Sequence, residues 1–115
     1  MGASDKVYFD ENIMVETQVT ITRTSSQDIR DRQIIVKLDG EEFATLMYGQ
    51  TATGLVAPGR HQLRVDNTWN KRTLQFELAP GEHARFRAIN REGRLTWLLA
   101  GFGIGPIYVS VEREA

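Results

Sequence analysis

Residues 33–65 read QIIVKLDGEEFATLMYGQTATGLVAPGRHQLRV, a series of short apolar runs cut at Asp39-Gly40, Tyr48-Gly49-Gln50 and Pro58-Gly59. Asp-Gly between alternating apolar residues signals a two-residue hairpin turn, because both central positions of that turn take positive φ. Pro-Gly suits a type II turn: proline presets φ at the first position and glycine accepts positive φ at the second. Ile34, Val36 and Leu38 therefore form one face of a strand, and Phe43 to Tyr48 returns as its partner. After a shorter strand from Thr53 to Val56, residues 60–66 alternate again, with His61, Leu63 and Val65 against Arg60, Gln62, Arg64 and Asp66.

The same period-2 pattern continues on both sides. Upstream, Val15, Thr17, Val19 and Ile21 share a face, followed by a polar, turn-prone stretch, Thr24 to Asp28, and by Asp28 to Arg32, which reads as an exposed loop or a short helical turn. Downstream, Leu74, Phe76 and Leu78 point one way, Pro80-Gly81 turns the chain, and Ala84, Phe86 and Ala88 point inward with His83, Arg85 and Arg87 opposite. Leu95 to Ala100 forms an apolar strand, and Ile107, Val109 and Val111 a last one. Strands about ten residues apart with no helical period indicate an all-β fold. The expectation is an immunoglobulin-like or prealbumin-like β-sandwich of about 7–9 antiparallel strands. It is a single domain over 1–115, with a loose N-terminal segment at 1–12.

Composition narrows function more than it defines it. A hydrophobic fraction of 41% and a charged fraction of 25% are those of a globular chain, and the net charge of −1 argues against a general nucleic-acid binder. Without cysteine there is no disulfide, thiolate metal site or cysteine nucleophile. The N-terminal MGASDKVYFDEN has no apolar core of signal-peptide length, so the protein is read as cytoplasmic, or as an envelope or periplasmic protein whose signal has been removed.

Val36 to Gly40, followed by Leu55-Val56-Ala57-Pro58-Gly59-Arg60-His61-Gln62-Leu63-Arg64-Val65, resembles PEGA-type domains and related bacterial sandwich families. The shared pattern is a strand ending in Asp-Gly, a short return, and Pro-Gly-x-His opening the next strand. The resemblance covers residues 33 to 90, although the Pro-Glu-Gly-Ala tetrapeptide itself is absent. It implies a small non-catalytic sandwich, often attached to envelope proteins, and supplies no catalytic residues.

No residue pattern favours catalysis. His61 and His83 each open a strand after a Pro-Gly turn and lie on opposite strand faces, which suits structural roles better than a shared metal site. Ser25, Ser26 and Asp28 lack a nucleophile elbow. Gly101-Phe102-Gly103-Ile104-Gly105-Pro106 places proline where a dinucleotide loop needs its third glycine. The expectation is therefore no catalytic residue, no metal and no cofactor.

The candidates for ligand binding are Trp69, in a polar loop, and Arg60, Arg64, Arg85 and Arg87, on outward strand faces. If their strands were neighbours, they would form a basic patch for a glycan or an acidic protein. Leu95 to Val111 carries no charge over its whole length. It reads as two buried strands joined by a glycine loop, with a membrane-associating tail as the alternative. Sandwich edges also leave a homodimer through an edge strand open.

Overall fold

The computed structural model describes residues 16–92 and 107–114. Eight strands occupy them: β1 (Gln18–Thr22), β2 (Ile34–Leu38), β3 (Glu41–Leu46), β4 (Thr51–Leu55), β5 (Gly59–Asp66), β6 (Lys71–Leu78), β7 (His83–Glu92) and β8 (Ile107–Arg113). They form two four-stranded sheets, ordered β4-β1-β7-β8 and β3-β2-β5-β6. The fold is a β-sandwich. One pairing departs from the antiparallel expectation: β1 runs parallel to β7, Gln18 opposite His83 and Thr22 opposite Arg87.

Alternation places the core where the sequence indicates. Val19 and Ile21 of β1 with Ala84, Phe86 and Ala88 of β7 face Ile34 and Val36 of β2, Leu63 and Val65 of β5, and Phe76 and Leu78 of β6. Phe76 and Phe86 meet edge to face across the two sheets, with ring centroids 4.8 Å apart, an arrangement that aromatic quadrupoles favour. The strand expected over Leu95 to Ala100 lies outside the described residues, as does Trp97.

The turn residues behave as their chemistry requires. Asp39 and Gly40 both have positive φ, 53° and 86°, as the hairpin between β2 and β3 demands. Within that hairpin the register shifts: Val36 lies opposite Ala44, but Lys37 lies opposite Glu42. Phe43 is the extra residue of this bulge. Its ring occupies the space a side chain at position 54 would need, since a Cβ built there falls 2.7 Å from Phe43 Cε1. Glycine inside β4 is thus explained by close approach.

His61 ties the two turns at this end of the sandwich. Its Nδ1–H donates to Asp39 Oδ2 and its Nε2–H to the Ala57 carbonyl, each at 2.6 Å. Both ring nitrogens face acceptors, so both must carry protons and the imidazolium is the form that fits. Burial of the ring opposes that charge, but the hydrogen bond to Asp39, the one to Ala57 and the carboxylate's charge outweigh it and hold the His61 pKa above its ordinary 6.5. The His61 hydrogen bond holds Asp39 below its ordinary 3.8 against the opposing effect of burial, with the Gln62 N–H and the imidazolium charge adding to it.

The signs set a window. A raised histidine stabilises the fold below 6.5 and loses that contribution as pH rises through its folded-state value. A lowered carboxylate contributes above 3.8 and loses it as pH falls. Thermal unfolding of the wild type should show a lower midpoint at pH 8 than at pH 5.5, a change of about 1 kcal/mol or less because Asp39 is partly solvated. The slope should flatten in His61→Leu; a wild-type midpoint independent of pH over that range would refute the clamp.

Candidate functional site

The end of the sandwich opposite His61 gathers the β1–β2, β3–β4 and β5–β6 connections. β1 reaches it through Arg23, which continues the inward phase of Thr17, Val19 and Ile21 and is fully buried. Every N–H of that guanidinium is used. Nε donates to Asp28 Oδ2 at 3.0 Å, and the NH2 nitrogen donates to Asp28 Oδ1 and the Asp31 carbonyl. The NH1 nitrogen donates to the carbonyls of Arg32 and Leu46.

Asp28 is equally saturated. Its Oδ1 also accepts the Arg30 N–H, and its Oδ2 the Asn90 N–H. A buried charge pair costs several kcal/mol of desolvation per ion, and only complete hydrogen bonding offsets it. The loop expected to be exposed is therefore anchored: Asp28 is 5% exposed.

From Asp28 the network crosses to the neighbouring loops. Asn90 Nδ2 donates to the Asp31 carbonyl, and Asn67 Nδ2 donates to Asn90 Oδ1 at 3.2 Å. Asn67 Oδ1 then accepts the backbone N–H groups of Trp69 and Asn70, closing a side-chain-capped turn. Asn70 Oδ1 accepts the Val109 N–H, which brings in β8.

This framework sets two arginines on two aromatic rings. Arg30 and Arg32 both adopt positive φ, 65° and 63°, an uncommon conformation for non-glycine residues. It is held by the inward carbonyls of Asp31 and Arg32 and by the bond from Arg30 N–H to Asp28. The Arg32 guanidinium lies 4.1 Å from the centroid of Trp69, and that of Arg30 lies 4.6 Å from the centroid of Tyr48. Arg32 Nε is fixed by the Asn67 carbonyl. Trp69 remains 49% exposed, and Met47, beside Tyr48, 51%. The site is a solvent-facing pair of guanidinium–aromatic stacks.

The arginines singled out from the sequence do not join Trp69. Arg60 and Arg64 lie on the outward face of β5, and Arg85 and Arg87 on that of β7, in the other sheet. Since each sheet turns its opposite face to the core, the two pairs occupy opposite surfaces. Arg60 is paired with Glu77 at 3.1 Å, and Arg87 sits beside Glu112 and Glu114. The basic patch expected from these four residues does not form as one surface, because their strands belong to different sheets. The arginine that reaches Trp69 is Arg32, which alternation could not flag because it lies in a loop.

Arg85 NH2 can only donate to His83 Nδ1, at 3.3 Å, so the imidazole proton sits on Nε2 and points at Thr20 Oγ1, 2.6 Å away. Thr20 in turn bonds Thr53 Oγ1 at 2.8 Å. Among the described residues no three His, Asp or Glu side chains converge as metal ligands.

No protein-family model, curated protein or solved structure matches the chain.

The Arg23–Asp28 pair has a direct energetic consequence. Arg23→Met leaves the buried Asp28 carboxylate without its counter-charge and takes the Arg23 donors from the carbonyls of Asp31, Arg32 and Leu46, so chemical unfolding should show a loss of about 3–5 kcal/mol. Arg23→Met/Asp28→Leu together should cost less than the sum of the two single changes. Additive single losses would show that the two side chains are not coupled.

Proposed function

We propose that this chain is a non-catalytic binding module and that its loop end, built on Trp69, Arg32, Arg30 and Tyr48, engages an anionic glycan. The observation that carries the reading is the half-exposed Trp69 ring stacked on Arg32. An exposed indole offers a flat apolar face for a sugar ring. The terminal N–H groups of a guanidinium offer a planar fork for a carboxylate or sulfate. Pre-ordering by the Arg23–Asp28 network supports the assignment, because a site fixed before binding loses less conformational entropy on association. The resemblance of residues 33–90 to PEGA-type domains accords with a non-enzymatic module, and an envelope setting accords with a glycan ligand.

A second reading draws on where the apolar stretch attaches. Glu92 of β7 and Ile107 of β8 lie opposite each other in register, at the same end as Trp69. The described strands on either side of the uncharged sequence 95–106 thus end on the side of the sandwich that carries the arginines and the exposed tryptophan, a combination suited to a membrane interface.

Retention on immobilised polyuronate and sulfated polysaccharides separates these readings when run beside flotation with anionic liposomes. Wild-type protein should be retained on the polysaccharide, with Trp69→Ala and Arg32→Lys each weakening retention about tenfold or more. Melting temperature should stay unchanged in Trp69→Ala, since the ring is half-exposed. Flotation without glycan retention would transfer the function to the membrane reading, and retention unaffected by Trp69→Ala would remove this end as the glycan site.

A further inference from the structure

Among the described residues the two four-stranded sheets have four edges: β4 and β8 in one sheet, β3 and β6 in the other. An edge strand offers backbone donors and acceptors to any strand that approaches, and charged side chains are the usual protection. Three edges carry them: Glu41 and Glu42 on β3, Lys71, Arg72 and Glu77 on β6, Glu112 and Arg113 on β8. The fourth, β4, is Thr51-Ala52-Thr53-Gly54-Leu55, with no charge, no proline and an unbroken register on β1. We propose that β4 is an interaction surface for a second copy of this chain, paired antiparallel about a two-fold axis through Thr53.

The ladder with β1 identifies the free groups. Arg23 N–H donates to the Gln50 carbonyl and Val56 N–H to the Thr17 carbonyl. By alternation, residues 50, 52, 54 and 56 turn their backbone groups toward β1. Those of Thr51, Thr53 and Leu55 point away from it, and among the described residues no loop or turn supplies them a partner. A two-fold axis at Thr53 sets that residue against its own counterpart and Thr51 against Leu55 of the other copy. Each such pair is of the closely bonded kind and exchanges two backbone hydrogen bonds.

Symmetry explains why the absence of charge matters. In a two-fold antiparallel pairing, residues near the axis face their own kind, so a charge there would meet the same charge. β4 carries no charge that could meet its like across such an axis. Leu55 is 66% exposed, more than any other large apolar residue described, and pairing would lay it across Thr51 of the other copy. The Thr53 hydroxyl is turned back to Thr20 and leaves the edge clear. The product is one continuous sheet running β8-β7-β1-β4 through both copies.

Sedimentation equilibrium of the full chain over a concentration series, with residue-resolved amide exchange on the same samples, tests the proposal. The wild type should pass from monomer to dimer below about 1 mM. The association should be little affected by salt, and amide exchange should slow with concentration at Thr51, Thr53 and Leu55. Thr53→Lys and Leu55→Lys, both at exposed positions, should weaken association at least tenfold without changing the circular dichroism spectrum. A monomer throughout, a dimer unchanged in both lysine variants, or concentration-independent exchange at those three amides would each overturn the proposal.

Discussion

The loop end of this sandwich depends on one buried guanidinium. Arg23 enters the interior in the same phase as the aliphatic residues before it, and there it meets no solvent that could satisfy it. Asp28 and the carbonyls of Asp31, Arg32 and Leu46 do so instead. Such a cluster adds little net stability compared with apolar packing of the same volume. Its consequence is geometric: a partly satisfied network is heavily penalised, so one arrangement of the surrounding chain is selected. The ten residues between Thr22 and Gln33 are ordered by a charge they enclose rather than by a strand or helix.

The two ends of the molecule are held differently. At one, His61 joins the turns after β2 and β4 through a pair of hydrogen bonds whose strength follows pH. At the other, Arg23 and Asp28 act through Asn90, Asn67 and Asn70 to reach the turn after β5 and the backbone of β8. This second end presents Trp69 and Tyr48 with arginines fixed on their rings. Rigid strands carrying anchored loops are the usual way for a sandwich to hold a binding surface.

Much of this was legible in the chain. Asp39-Gly40 specified its turn because few residues accept two successive positive φ angles. Leu63, Val65, Phe76 and Phe86 declared their inward positions by alternation, and the opposite phases of His61 and His83 followed from the same count. Trp69 stood out as an aromatic residue among polar neighbours. Arg23 was hidden although it kept the inward phase, because a charged residue at a strand end resembles the start of a loop. Asp28 gave no signal, since what makes it a core residue is an ion pair and not a period. The contact of Asn67 with Asn90, and the parallel pairing of β1 with β7, join segments far apart in sequence, and local pattern cannot bring them together. For the same reason local pattern does not separate Arg60 and Arg64 from Arg85 and Arg87, whose strands lie in different sheets.

Amide hydrogen exchange across the loop between β1 and β2 tests most directly whether the buried ion pair organises that end. The N–H groups of Ile29 and Arg30 are bonded to the Asn90 carbonyl and the Asp28 carboxylate, so their protection should approach that of Ile21 and Val36 in the strands. In Arg23→Met it should collapse while protection at Leu63 and Phe86 persists. Rapid exchange at Ile29 and Arg30 in the wild type, or protection that survives loss of Arg23, would contradict the account.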